Sequence, residues 1–192
     1  MLRDALLAAL AKPDSTLDVV IVIPNHAESD APIIADSLRY DHARYWFGFK
    51  DLIDNPRVHV LTIRDYYVHT KVMIVDDIFV SIGSANMNRR GLTHDAELNA
   101  FVLDGRVEDG VRKFARDLRT RLWSEHLGMP LTDASYSELN DVDRALNTLT
   151  NKRPPTARLI PYVFDIGDEF VSAPLDPLLG PIWDTFVDPI GS

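Results

Sequence analysis

The first 63 residues alternate between a helical and a strand period. Residues 2–11 repeat apolar side chains at three- and four-residue spacing, which predicts an amphipathic helix that Pro13 ends. Residues 17–23 are β-branched and nearly all apolar, which predicts a buried strand in parallel pairing. A helix is predicted over residues 33–52 and a strand over residues 58–63. This succession indicates an α/β fold.

The next segment predicts a β-hairpin. Residues 69–75 and 78–82 are rich in β-branched side chains and flank two consecutive aspartates, where a tight turn is expected. Successive strand residues point to opposite faces, so residues two apart point the same way. His69 and Lys71 are therefore predicted to project together from one face of the first strand.

The end of the second strand predicts a sharp change of direction. Gly83 and Ser84 suit such a turn, which would carry Asn86 back beside His69 and Lys71. An imidazole, an ammonium and a carboxamide would then meet at the strand ends. Ionised groups form strong hydrogen bonds with phosphate oxygens, and lysine acts there as a point charge. The sequence thus predicts a phosphate site that contains a nucleophile.

These residues resemble the histidine–lysine–aspartate motif of the phospholipase D superfamily. The pattern is His-x-Lys-x4-Asp-x6-Gly-Ser-x-Asn, and every fixed position matches. Glu97 stands where that family keeps a carboxylate that holds the motif histidine. The resemblance is specific within residues 69–97. The matching residues are His69, Lys71, Asp76, Gly83, Ser84 and Asn86.

The resemblance implies a covalent mechanism. In the family, one histidine attacks phosphorus to form a phosphohistidine, and a second histidine protonates the leaving alcohol. His69 fits either role. Lys71 and Asn86 would hold the non-bridging oxygens as charge builds, and Glu97 would accept a hydrogen bond from the His69 ring and fix its tautomer.

The other motif positions have supporting roles. Ser84 is expected to orient the ligand or Lys71, and Tyr67 to line the mouth of the pocket. Asp76 is expected to bond to nearby backbone, as turn aspartates do, and Gly83 to permit the turn. No metal or other cofactor is expected, because lysine and asparagine do what a cation would do and no ligand cluster is visible in the sequence.

The C-terminal half predicts a long helix and then a tail. Residues 107–127 form an amphipathic pattern whose basic side is expected to face solvent. Eight of the 12 prolines lie from Pro130 onward, with one helix predicted over residues 135–149. We therefore expect a catalytic half-domain at residues 1–129 and a proline-rich, irregular tail at residues 130–192 that packs on it. The basic residues are Arg112, Lys113, Arg116, Arg119 and Arg121.

Composition excludes several classes of protein. The 192 residues include no cysteine, which excludes disulfides, thiolate metal sites and cysteine nucleophiles. The net charge of −9 argues against a nucleic acid partner, since nucleases usually present a basic face. No apolar run approaches the ~20 residues that span a bilayer, and no signal peptide opens the sequence. We expect a soluble protein or one peripheral to a membrane, in an undetermined compartment.

A single motif shapes the functional expectation. Most lipid-cleaving members of the resembled family carry two motifs on two similar halves, whereas this sequence has one. We expect the C-terminal half of a phospholipase D-type phosphodiesterase that cleaves or exchanges a phospholipid head group. The second half would come from a missing N-terminal half or from a second copy. The expected fold is an α/β/α sandwich with a mixed, largely parallel sheet.

Three alternatives stay open. A homodimeric nuclease of the same superfamily would need a basic groove across its two-fold axis. A cardiolipin synthase-like phosphatidyltransferase shares the motif but usually has membrane segments. An inactive half-domain fragment is the reading without enzyme activity.

Overall fold

The computed structural model describes residues 2–25, 45, 49–86, 89–93 and 95–164, without the side chains of residues 89 and 90. These residues divide into two compact units: Met1–Val68 with Ile160–Ser192, as far as they are described, and His69–Leu159. The described helices are Leu2–Leu10 (α1), Arg89–Thr93 (α2), Lys113–His126 (α3), Asp133–Asn140 (α4) and Val142–Thr150 (α5). The described strands are Val19–Val22 (β1), Val58–Ile63 (β2), Lys71–Val75 (β3), Phe79–Gly83 (β4), Asn99–Val102 (β5), Val107–Glu108 (β6), Val111–Arg112 (β7) and Leu159–Pro161 (β8).

The first unit is built on a three-stranded sheet in the order β1-β2-β8. β1 and β2 are parallel, as their apolar composition predicts, with Val19 opposite Val58. Apolar side chains of α1 and β1 pack on a buried cluster that removes them from water. The cluster consists of Leu52, Val58, Val60 and Tyr162.

The second unit contains the predicted hairpin. β3, β4 and β5 form an antiparallel sheet in sequence order. Asp76 and Asp77 have φ values of 53° and 52°, a left-handed conformation that aspartate tolerates better than most residues. Ile78 N–H donates to the carbonyl of Val75 at 2.9 Å and closes the turn. The expected tight turn at the two aspartates is therefore present.

Three helices complete the second unit. α3 ends at His126, and Gly128 follows it with a φ of 61° and a close approach to the Thr156 carbonyl that leaves no room for a side chain. α4 starts with a reciprocal capping interaction between Thr132 and Ser135. Their shared core is fully buried and is joined by Trp123, Met129 and Ala157. It consists of Leu127, Leu139 and Ala145.

Two helix predictions need correction. Residues 107–112 form a small hairpin, β6–β7, so the long helix begins at Lys113 and not at residue 107. Asp109 and Gly110 make its turn with φ values of 54° and 83°, and Asp-Gly is a strong hairpin signal. The single helix predicted over residues 135–149 is two helices, because the Asp141 backbone is extended between them and its side chain caps α5.

The basic side of α3 also differs from the prediction. Arg116 and Arg119 are buried, with 7% and 5% of their surface exposed. Arg116 pairs with Glu108, and Arg119 pairs with Asp77. A buried guanidinium needs such partners, because leaving it unpaired in the interior would cost several kcal/mol. Two of the five basic residues are therefore structural rather than solvated.

The fold class is confirmed as α/β with mixed sheets that include a parallel pair. Most of the predicted helix at 33–52 and all of residues 165–192 lie outside the described residues. The boundary proposed at residue 129 stays a prediction. No helix in the described ranges is long and apolar enough to span a bilayer.

Candidate active site

Strand register sets three motif segments side by side. Lys71 at the start of β3 is opposite Gly83 at the end of β4, and Gly83 is opposite Asn99 at the start of β5. Directly opposed residues on neighbouring strands have Cβ atoms about 4.5–5.5 Å apart and point to the same face. One end of the three-stranded sheet is therefore a row made by β3, β4 and β5 together.

The remaining motif segments leave the sheet at this same end. His69 is two residues before Lys71, residues 84–86 follow β4, and Glu97 is two residues before β5. His69 and Asn86 are exposed, whereas Glu97 is half-buried. The sequence predicts that the side chains of His69, Lys71 and Asn86 converge. The register brings the segments that carry them to the same end of the sheet.

The histidine and the lysine of the motif are not on one strand. β3 begins at Lys71, so His69 precedes the sheet, and the predicted strand start near residue 69 is wrong by two residues. Lys71 Nζ donates instead to the backbone carbonyl of His69 at 2.7 Å. This bond holds the ammonium beside the backbone of the motif histidine.

Gly83 is required by a close approach. A Cβ added there would lie 2.0 Å from Asn99 Oδ1 and 2.3 Å from the Leu98 carbonyl oxygen. Its φ is outside the left-handed region. The motif glycine therefore makes room for a neighbouring strand, where the sequence suggested only freedom to turn.

Ser84 fastens the turn to the segment before β5. Its N–H donates to the Leu98 carbonyl at 3.2 Å, and its hydroxyl accepts from the Leu98 N–H at 3.1 Å. The described hydrogen bond of Lys71 goes to His69 and not to Ser84. The expected role of Ser84 in orienting a ligand stays a prediction.

Asn99 was missed by sequence reasoning. Its Oδ1 accepts from the Ala85 N–H at 3.1 Å, and its Nδ2 donates to Ser81 Oγ at 3.1 Å. The available signal was an asparagine within an apolar strand segment, since asparagine is depleted in strands and needs partners when half-buried.

The residue after the motif aspartate carries the main electrostatic contact of the hairpin. Asp76 is exposed, whereas Asp77 is buried and accepts from Arg119 Nε and Nη2, each at 2.7 Å. Such a two-pronged pair fixes geometry as well as charge. Asp77 therefore has a structural role through its bonds to Arg119. The expected bonding of Asp76 to nearby backbone stays a prediction.

Other predicted residues have no tested role. Tyr67 is half-buried in the first unit. Among the described residues, no three histidine, aspartate or glutamate side chains gather in a group that could hold a metal ion.

Comparison with known families decides the identity. The family model described as "Cardiolipin synthase, PLD-like domain" matches residues 3–121, more than half of the chain and all of the motif. The chain belongs to the phospholipase D superfamily.

The curated proteins similar to this superfamily member include phospholipases D and cardiolipin synthases. Phospholipase D zeta 1 of Arabidopsis thaliana is 37% identical over 103 residues, which cover 43% of this chain and 9% of that protein. Phospholipase D1 of Schizosaccharomyces pombe is 39% identical over 112 residues, covering 52% of this chain and 8% of that protein. Cardiolipin synthase 1 of Staphylococcus aureus is 31% identical over 128 residues, covering 64% and 22%. The chain thus spans less than a quarter of the length of each of these relatives.

Proposed function

We propose that this chain supplies one catalytic half of a phospholipase D-type phosphodiesterase that cleaves or exchanges the head group of a phospholipid. The observation that carries the proposal is the register of β3, β4 and β5, which brings the segments bearing His69, Asn86 and Glu97 to the edge where Lys71 lies. The exposure of His69 and Asn86 supports access by a substrate.

The reaction has two steps. A ring nitrogen of one motif histidine attacks phosphorus, a P–N bond forms, and the P–O bond to the head-group alcohol breaks. A second histidine gives its proton to the leaving oxygen. That histidine next takes a proton from water, whose oxygen attacks phosphorus and breaks the P–N bond. His69 acts as the nucleophile or as the acid in this scheme.

Neighbouring groups stabilise the charge. The Lys71 ammonium and the Asn86 carboxamide bind the non-bridging oxygens, where negative charge grows in the transition state. The Glu97 carboxylate accepts from one ring nitrogen of His69 and leaves the other for phosphorus. Ser84 lines the substrate site. In this scheme the Lys71 ammonium and the Asn86 carboxamide stabilise the phosphate charge without a metal ion.

The scheme requires a second motif. The second motif is supplied by another half of a longer chain or by a second copy. The substrate is a phospholipid at a membrane surface, which the protein reaches as a peripheral protein. The acidic net charge of −9 disfavours a nucleic acid substrate.

Phosphatidyl transfer is the second candidate. The description of the matching family model and the cardiolipin synthases among the relatives favour it. An alcohol then replaces water in the second step, and the histidine chemistry is unchanged. The two candidates differ only in the acceptor.

One assay tests both candidates. Phosphatidylcholine vesicles are incubated with the chain alone and with any N-terminal half encoded upstream, and choline release is measured. Added glycerol separates transfer, which yields phosphatidylglycerol, from hydrolysis, which yields phosphatidic acid. Choline release that His69→Asn abolishes and Lys152→Gln leaves unchanged supports the proposal, since Lys152 is an exposed lysine near the end of α5. Absence of choline release in both arrangements would contradict it.

A further inference from the structure

The ladder between β4 and β5 continues past Gly83 through side chains. In an antiparallel pair that exchanges hydrogen bonds, each residue donates its N–H to the carbonyl of the other. Ser84 N–H does so to Leu98, but the return bond from Leu98 N–H ends on the Ser84 hydroxyl. The backbone can therefore leave the sheet here while its pairing is still satisfied.

The Asn99 carboxamide makes the next step of this ladder. It lies against Gly83 and receives the Ala85 N–H on Oδ1. Because that N–H can only donate, the orientation of the carboxamide is fixed, and its Nδ2 faces Ser81 Oγ. Ser81 and Ala85 are both buried, with 2% and 6% of their surface exposed. The Asn99 side chain is thus held at both ends.

Gly83 completes the arrangement. Any side chain at this position would enter the space of the Asn99 carboxamide and of the Leu98 carbonyl. The absence of a side chain at Gly83 therefore leaves the space in which the Asn99 carboxamide reaches the turn. Asn99 sits between two chemically important places, since Asn86 follows Ala85 directly and Glu97 is two residues before Asn99.

We propose that Asn99 is a positioning residue for the phosphate site. It fixes the backbone at Ala85, and through it Asn86, against the segment that carries Glu97. This inference rests on the proposed function. Asn99 touches no reacting atom in the scheme and acts through the turn. A displacement of about 1 Å at a group that binds the transferring phosphoryl lowers the rate about 10²-fold.

Two substitutions separate positioning from packing. Asn99→Ala removes both hydrogen bonds, whereas Asn99→Asp keeps the shape, the acceptor for Ala85 and an acceptor for the Ser81 hydroxyl. We expect Asn99→Ala to lower kcat about 30-fold at a nearly unchanged KM. Asn99→Asp should keep kcat within about fivefold and raise KM, because its added charge repels the phosphate.

The experiment uses the full chain in the active arrangement found with phosphatidylcholine. Rates are taken per folded protein, and hydrogen exchange of the Ala85 amide is followed by NMR. Leu98→Ala is the matched control, since Leu98 is 83% exposed and its described hydrogen bonds with Ser84 come from its backbone. The expected result is faster Ala85 exchange together with lower kcat in Asn99→Ala, rescue of both in Asn99→Asp, and wild-type values in Leu98→Ala.

Three outcomes would overturn the proposal. With active wild-type protein, Ala85 exchange unchanged in Asn99→Ala removes the hydrogen bond from the argument. Faster exchange at wild-type kcat leaves Asn99 a purely structural residue. Inactive wild-type protein in every arrangement ends the proposed function and the positioning role together, and it differs from the first two outcomes because the parent is then inactive.

Discussion

At the scale of single residues, Gly83 shows how a motif position can be set by a neighbouring strand. The residue has no left-handed backbone conformation, yet a methyl group there would overlap Asn99 and the Leu98 backbone. Backbone atoms cannot move aside without disturbing the β4–β5 pairing. The glycine is therefore needed for close packing.

Gly83→Ala should be destabilising. We expect a loss of about 1–3 kcal/mol in the free energy of unfolding, as for other overpacked sites. Urea unfolding followed by circular dichroism measures the change. Gly105→Ala is the control, since a Cβ at Gly105 would meet no heavy atom within 4 Å. Equal stability of the two variants would refute the steric explanation.

The motif lysine should contribute to the rate without contributing to the fold. Lys71→Gln removes the ammonium that donates to the His69 carbonyl and, in the proposed reaction, stabilises phosphate charge. We expect kcat/KM for choline release to fall about 10²–10³-fold. Thermal unfolding should shift little, because Lys71 is only half-buried. A variant with near wild-type activity would exclude Lys71 from the site.

Sequence reasoning identified side-chain chemistry better than side-chain partners. His69, Lys71 and Asn86 were selected because their types and spacing are specific to one family. Asn99 and Asp77 were not identified from the sequence, because their hydrogen-bond partners are distant in the chain. Ser81 is 18 positions from Asn99, and Arg119 is 42 positions from Asp77. A pattern read along the chain contains no information about such pairs.

At the scale of secondary structure elements, the β3–β4 hairpin is fixed by one arginine of α3. Arg119 donates to both carboxylate oxygens of Asp77 and also to the carbonyls of Leu139 and Asn140 at the end of α4. Its guanidinium lies 5.1 Å from the centre of the Trp123 ring. One side chain therefore joins the hairpin turn to two helices.

Breaking this pair should be costly. Arg119→Met leaves Asp77 buried without its partner, and we expect a loss of about 3–5 kcal/mol in the free energy of unfolding. Arg121→Met on the same helix is the control, because Arg121 is exposed and should change stability by less than about 0.5 kcal/mol. Chemical denaturation compares the two.

A double variant tests the explanation. Asp77→Asn removes the charge and suits the left-handed backbone at this position. Combined with Arg119→Met, it should lose less stability than the sum of the two single changes, since no unpaired charge remains buried. Strict additivity would argue against a coupled pair.

The end of α3 should make stability depend on pH. Burial lowers the pKa of His126 below its usual 6.5, opposed more weakly by the charge of Glu125. Its Nδ1 is buried and has no hydrogen-bond partner within the described part of the chain. The folded state therefore binds fewer protons at His126 than the unfolded state does.

The expected pH profile follows from that sign. The His126 contribution is fully present above about pH 6.5 and is lost as the pH falls through the lowered folded pKa. Unfolding free energies measured between pH 5 and pH 8 should show a steeper acid loss for the wild type than for His126→Gln. Parallel profiles would mean that His126 titrates alike in both states.

Local signals gave the elements but not all of their boundaries. α1 and β2 follow the apolar pattern closely, because their own periodicity determines them. The helix predicted over residues 107–127 wrongly included the β6–β7 hairpin, although Asp109-Gly110 signals a turn. The reason is that the surrounding apolar spacing also suits a helix. The break between α4 and α5 depends on Asp141, whose side chain caps the start of α5. An aspartate in a sequence does not by itself indicate such a break, because aspartates also occur within helices.

At the scale of the whole molecule, a single motif is the decisive property. The chain covers less than a quarter of the relatives compared above, and the proposed reaction needs two histidines. If two copies share one site, a chain without its histidine should inactivate the copy that it joins.

Mixing tests this dependence. Wild-type protein is mixed and re-equilibrated with His69→Asn at constant total concentration, and choline release is measured. A site shared between copies predicts activity proportional to the square of the wild-type fraction, whereas a chain that works alone predicts a linear fall. His59→Asn is the matched control, since His59 lies on β2 in the other unit, and it should leave the mixture fully active.

The four bonds of Arg119 also bear on how short a functional chain can be. The family match ends at residue 121, but two of the acceptors of this guanidinium are carbonyls at residues 139 and 140. A chain trimmed to the matched residues 3–121 would keep every motif residue and would still remove half of the acceptors of Arg119. The segment that the family model matches is thus smaller than the segment whose contacts hold the motif-bearing hairpin in this protein.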